Sequence, residues 1–189
     1  MGVRAASNQA KNVSISKTKS NLSHLVTHKL QFIMKKMLFL LIYALCWTIT
    51  GLTQTISTKN ITLDAAKKVV AEAVKYAKEK AAPGSSIAVV DNGGNLIYLE
   101  KLDGTFAASA EVAIKKANTS ATFKAPSSKL ENSINGGRQA LITVGHTFLQ
   151  GGVPIIYDGQ VIGAIGVSGS ASAQQDEDIA IAGSKVKID

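Results

Sequence analysis

One cysteine, three histidines and three prolines among 189 residues exclude several kinds of chemistry. The cysteine, Cys46, lies in an apolar run near the N-terminus, so the chain beyond it has no disulfide, thiolate nucleophile or thiolate metal site. His24 and His28 also fall in the first fifty residues, which leaves His146 as the single imidazole of the remainder. In that remainder no paired histidines at metal spacing, Cys–His pair, Ser–His–Asp order or phosphate-cradling glycine loop is present. An enzyme with this inventory would lean on a bound cofactor.

Acid is missing where base is plentiful. Residues 1–54 hold seven of the 21 basic residues and no Asp or Glu, whereas 55–189 hold 14 basic and 13 acidic residues. Seven of the eight net positive charges therefore belong to the N-terminal segment. A nearly neutral remainder lacks the basic stripe that nucleic-acid binding requires, so no nucleic-acid partner is expected.

Met34-Lys35-Lys36 followed by the apolar run Met37–Thr50 has the form of an export signal, a short positive segment ahead of a hydrophobic one. Cleavage is expected after Gly51, with 34–54 as signal peptide, 58–189 as the mature domain, and translation starting at Met34. Residues 1–33, rich in Ser, Asn and Lys without periodicity, then read as a disordered upstream extension. A membrane-spanning helix needs roughly 20 apolar residues, and this run fades into Gly51–Ser57, so no stable anchor after cleavage is expected. The implied location is periplasmic or extracellular.

The domain alternates helical and strand patterns. Thr62 and Asp64 open a helix whose stripe is Leu63, Ala66, Val70, Ala73, Val74 and Ala77, and Pro83-Gly84 closes it. Ser86–Asp91 and Asn95–Glu100 read as strands joined by Asn92-Gly93-Gly94. A helix is expected over Phe106–Phe123, then a short one begun by a Ser128/Glu131 capping box. Beyond a weak Arg138–Val144 segment, Gly152–Tyr157, the turn Asp158-Gly159 and Gln160–Val167 form a second hairpin. Ser172 and Gln175 cap a final helix. Two tight hairpins predict an α/β (α+β) fold with a central antiparallel sheet flanked by helices, not a parallel sheet with long crossovers.

Several segments in this order resemble the GlcG/HbpS family, which includes the C-terminal domain of PduO-type proteins. They are Val89–Asn95, Glu100–Gly104, Asn135–Leu141, Gly151–Gly169 and Gln175–Ala180 with Ala182-Gly183, together spanning about Ile61 to Lys185. The resemblance implies a profilin-like fold, a homo-oligomer, and haem or a related tetrapyrrole as ligand. Known members include an extracellular haem-binding sensor component, a haem-binding domain attached to a cobalamin adenosyltransferase, and the product of a glycolate-operon gene. The adenosyltransferase domain is absent here, and a stand-alone secreted domain is most similar to the first.

Haem needs an apolar slot, an axial ligand and a cation for its propionates. His146 is the candidate axial ligand and metal-binding residue, with Tyr98 and Tyr157 as oxygen alternatives; a lone histidine is otherwise a surface or hydrogen-bonded residue, and strand tyrosines otherwise pack. Arg138, the only arginine of the domain, has the fork that matches a carboxylate, or it makes a surface ion pair or caps a carbonyl. Lys116, with Lys115 and Lys124, offers further cations for a propionate, although such a helical run is usually a solvated face. Gly166 would let a flat ligand approach the strand and Ser168 would help hold an anion, or the glycines serve tight packing of helix on sheet. Asp91 is a turn residue, and Asp176-Glu177-Asp178 complement a helix dipole. The expected function is ligand binding for sensing, scavenging or protection. The alternatives are an enzyme of haem turnover or small organic acid metabolism, and a structural oligomerisation module.

Overall fold

The computed structural model describes residues 27–43 and 56–188, which fall into two compact units divided between Ile56 and Ser57. The first contributes one helix, α1 over 27–43, with Leu38, Phe39, Leu40, Leu41, Ile42 and Tyr43 all exposed. No described helix is long and apolar enough to cross a membrane. Residues 27–33, expected to be disordered, form the first two turns of α1: the stretch has no Pro or Gly, and Leu30, Phe32 and Ile33 accept helical geometry. The remaining leader residues, 1–26 and 44–55, lie outside the described residues, as do Cys46 and the expected cleavage region.

The second unit contains α2 (Leu63–Glu79), β1 (Ser86–Asp91), β2 (Leu96–Lys101), α3 (Ser109–Phe123), α4 (Ser127–Asn135), a 3-10 helix (Gln139–Val144), β3 (Gly152–Tyr157), β4 (Gln160–Ser168) and α5 (Ala173–Ser184). Both hairpins form as expected and meet through β1 and β4, giving the strand order β2-β1-β4-β3 with every pairing antiparallel. The second hairpin is closed by Asp158 and Gly159 at φ 50° and 72°, the two positive values a type I′ turn demands. The fold is therefore α+β, with helices on both faces of a four-stranded sheet.

The two faces are built from different side chains. Ile87 and Val89 of β1, Ile165 and Val167 of β4, and Val153 and Ile155 of β3 point to one face and pack beneath α2 and α5. The opposite face carries Ala88, Val90 and Ala164, together with Gly152 and Gly166, which are directly paired. Here α3 lies almost on the backbone. A methyl on Gly166 would overlap the Ala113 carbonyl oxygen, and one on Gly152 the Lys116 carbonyl oxygen. Gly166 is thus covered by α3 and has no surface for a flat ligand. Its lack of a side chain serves helix-on-sheet packing.

Local signals hold where no long-range partner competes. Thr62 Oγ1 accepts from the Ala65 N–H at 3.2 Å, and Ser172 Oγ accepts from the Gln175 N–H at 3.1 Å. The Ser128 capping box does not form: α4 starts one residue earlier, behind Pro126, so Ser128 is already inside the helix and its hydroxyl donates to Glu177. Glu131 turns instead to the Gln150 N–H, at 2.6 Å.

Candidate functional site

The segment from Arg138 to Leu149 leaves the fold as a ledge against the C-terminal end of α3. Its 3-10 helix has no buried residue, and Ile142, Val144 and Leu149 are 63%, 50% and 47% exposed, an apolar surface with no covering element. Gly145, at φ 80°, turns the chain back towards α3 and delivers His146. The half-buried imidazole packs against two phenylalanines that also touch each other. Its centroid is 5.1 Å from that of Phe123 at an interplanar angle of 88°, and 6.4 Å from that of Phe148. Phe123 and Phe148 are themselves edge-on at 5.7 Å, and Phe148 is buried. This arrangement restricts the ring through the preference of aromatic pairs for edge-to-face contact.

Beyond His146 the backbone is tied down at nearly every step. Thr119 Oγ1 donates to the Thr147 carbonyl at 2.8 Å, and Ser127 Oγ donates to the Leu149 carbonyl at 2.7 Å while accepting from the Gly152 N–H at 2.8 Å. Glu131 accepts from the Gln150 N–H, and the Gln150 side chain donates to Glu177 at 2.6 Å. Phe123, Phe148, Thr119 and Ser127 were not singled out as site residues by sequence, and Glu131 only as a capping partner of Ser128. The available signal was the i, i+4 spacing of Thr119 and Phe123, which places a hydroxyl and a ring on one face of α3.

Of the other expected residues, Arg138 shares this ledge: it is exposed at the N-terminal end of the 3-10 helix and makes no ion pair among the described residues. The structure withdraws Lys116 from solvent. Its ammonium is 2.9 Å from Asp176 Oδ2 and 2.8 Å from the Val167 carbonyl, with the two side chains 4% and 8% exposed. Asp176 accepts in turn from the Ser170 N–H and hydroxyl, so the lysine joins α3 to β4 and α5, and its burial keeps it from a propionate in solvent. Lys115 pairs with Glu111, and Lys124 is exposed at the left-handed end of α3. Ser168 is buried at the end of β4, opposite Ser86.

The tyrosines lie elsewhere. Tyr98 is on β2, opposite Val89 and on the face covered by α2 and α5; its hydroxyl donates weakly to Glu100 at 3.4 Å, and the ring packs against the main core. Tyr157 lines a separate cleft of about 300 Å³ with Lys59, Ile61 and Ile162. There Lys59 stands 5.1 Å from the Tyr157 ring centroid and 2.6 Å from Asp158, a hydrogen bond that raises the ammonium pKa and lowers that of the carboxyl. Neither tyrosine meets His146. Among the described residues no group of three or more metal-ligating side chains occurs, so a metal would have to bring most of its own ligands, as a tetrapyrrole does.

A four-stranded antiparallel sheet between helices, with a histidine packed against two aromatic rings beyond α3, defines a small α+β domain. Residues 61–185 match the family model described as "haem degrading protein HbpS-like", and the chain belongs to this GlcG/HbpS family. Protein GlcG of Escherichia coli K12 is 43% identical over 84 residues, which cover 44% of this chain and 63% of GlcG. The chain therefore spans somewhat less than two thirds of that relative. An uncharacterized 15.0 kDa protein of Citrobacter freundii is 32% identical over 125 residues, 61% of this chain and 84% of its own length. Among solved structures, a double mutant of HbpS from Streptomyces reticuli aligns with a TM-score of 0.63 at 33% identity, over 69% of this chain and 89% of that one. A PduOC–haem complex aligns with a TM-score of 0.58 at 25% identity, over 66% and 92%.

Proposed function

We propose that this protein binds haem, or a closely related tetrapyrrole, on the ledge formed by residues 138–149, for sensing, scavenging or protection. The single observation that carries the reading is the half-buried imidazole of His146, packed against Phe123 and Phe148 on a segment whose Ile142, Val144 and Leu149 are exposed. One axial nitrogen, an apolar surface and the unpaired guanidinium of Arg138 are the three things a haem asks of a protein. The residues present fit the group: His146 would ligate the iron, the aliphatic side chains would cover porphyrin, and Arg138 would take a propionate. When bound, haem would supply redox and oxygen chemistry. This chain's residues bind and orient it and exclude water from one side.

Membership in a family described as haem degrading, and a relative solved as a haem complex, support the same reading. They also favour oxidative haem turnover as the second reading. Haemin titration of the purified protein separates the two. Binding predicts a saturable Soret shift that persists under reductant and oxygen, whereas turnover predicts its decay with a ring-opened product. Absence of any shift removes both.

The reading includes export and self-assembly. The Met34–Thr50 segment would direct the chain to the periplasm or beyond, and the mature domain would form homo-oligomers. N-terminal sequencing of the exported protein tests the first, and Gly2 at the mature terminus contradicts it. Sedimentation tests the second, and a monomer at high concentration contradicts it.

A further inference from the structure

We propose that Thr119 is a positioning residue for His146, an inference that rests on the haem reading of the ledge. The two sides of His146 differ. On its N-terminal side the chain is a 3-10 helix with no buried residue, packed on α4, and a glycine at positive φ, and among the described residues no hydrogen bond ties it to α3. On its C-terminal side the first tether is the hydrogen bond from Thr119 to the carbonyl of Thr147, the very next residue. Thr119 is fully buried in α3, and its hydroxyl proton chooses between Thr147 O at 2.8 Å and Lys115 O at 3.0 Å one turn back. Phe123, one helical turn further along the same face, meets the imidazole edge-on. A single helix therefore holds both the Thr147 carbonyl, one residue past His146, and a ring against which the imidazole packs.

The physical consequence is preorganisation. An imidazole held in one orientation has already lost the rotamer and loop freedom that binding would otherwise cost. Without the hydroxyl, the Thr147 carbonyl loses its donor and the 145–147 backbone is released on the side where it has no other hold. Ser127 and Glu131 continue to hold residues 149–152, so the fold beyond the arm stays in place. Thr119 touches neither ligand nor iron and acts through the His146 backbone.

The test uses the full chain and two readouts. In the ligand-free protein, the imidazole proton resonance of His146, assigned with His146→Ala, is expected to be shifted by the Phe123 and Phe148 rings. Thr119→Val, which keeps the volume and removes the donor, is expected to move it towards the position of an unstructured histidine. Thr119→Ser, which keeps the donor, is expected to restore it. Haemin affinity should fall about tenfold in Thr119→Val, the equivalent of one hydrogen bond, and stay within about twofold in Thr119→Ser. A folded Thr119→Val with an unmoved His146 resonance overturns the proposal. A moved resonance with unchanged haemin affinity upholds the positioning of His146 and overturns its role as haem ligand. If Thr119→Val does not fold, Thr119→Ala carries the same comparison against Thr119→Ser.

Discussion

Asp176→Ala should destabilise the domain more than any other single carboxylate removal. The substitution leaves the Lys116 ammonium buried with only the Val167 carbonyl for company, and takes the acceptor from the Ser170 N–H and hydroxyl. Breaking a pair this enclosed costs about 3–5 kcal/mol, because the surviving charge keeps its desolvation penalty and loses its compensation. A domain of this size holds only about 5–15 kcal/mol in total, so the change should lower Tm by roughly 12–20 °C. Urea unfolding followed by far-UV circular dichroism would give the figure directly. The double variant Lys116→Met/Asp176→Asn, which removes both charges and keeps an acceptor for Ser170, should recover most of the loss, with a coupling energy above about 2 kcal/mol. A loss below about 1 kcal/mol for Asp176→Ala, the size of a surface pair, would refute the argument.

Three further outcomes follow from the packing and the turns. Gly166→Ala should cost about 3 kcal/mol and Gly152→Ala a similar amount, since each methyl meets a backbone carbonyl of α3; calorimetry showing near-native Tm for either would contradict the close approach. Ser120→Ala should be neutral or stabilising by up to about 1 kcal/mol, because the Ser120 hydroxyl is buried without a partner; a clear loss in urea midpoint would contradict this. At Asp91, partial burial pushes the carboxyl pKa up, but the hydrogen bonds from Asn95 and the Gly93 N–H outweigh it, and the net shift is downward. A depressed folded pKa means stability present above the unfolded value, near 4, and lost as pH falls through the folded one. Asp91→Asn should therefore lower stability by about 1 kcal/mol at pH 7 and by little near pH 2, and a penalty independent of pH would contradict it.

The elements closed by local chemistry were legible in the sequence. The Asp158-Gly159 turn, the Thr62 cap and the Ser172 cap each need only neighbouring residues, and all three appear as read. Ser128 and Glu131 carried an equally good capping pattern, but Glu177 and the Gln150 backbone claimed their side chains from elsewhere in the chain. Lys116 shows the same limit more sharply. Its place between Ala113, Ala117 and Ser120 puts it on the buried face of α3, not on the solvated face expected of a run of lysines, and its partner lies 60 residues away where no local pattern points. At the candidate site, His146 and Arg138 were visible as the single imidazole and single arginine of the domain. The two rings that hold His146 were not, because Phe123 and Phe148 reach it from opposite ends of a connection that only tertiary packing closes.

The central claim is that the His146 imidazole is the axial ligand of a haem on the 138–149 ledge. Pulsed electron paramagnetic resonance on the haem complex of protein carrying ¹⁵N-histidine tests it most directly. A histidine nitrogen coupled to the iron is expected in the parent protein and should disappear in His146→Ala. The same coupling in both proteins, or none in either, would contradict it.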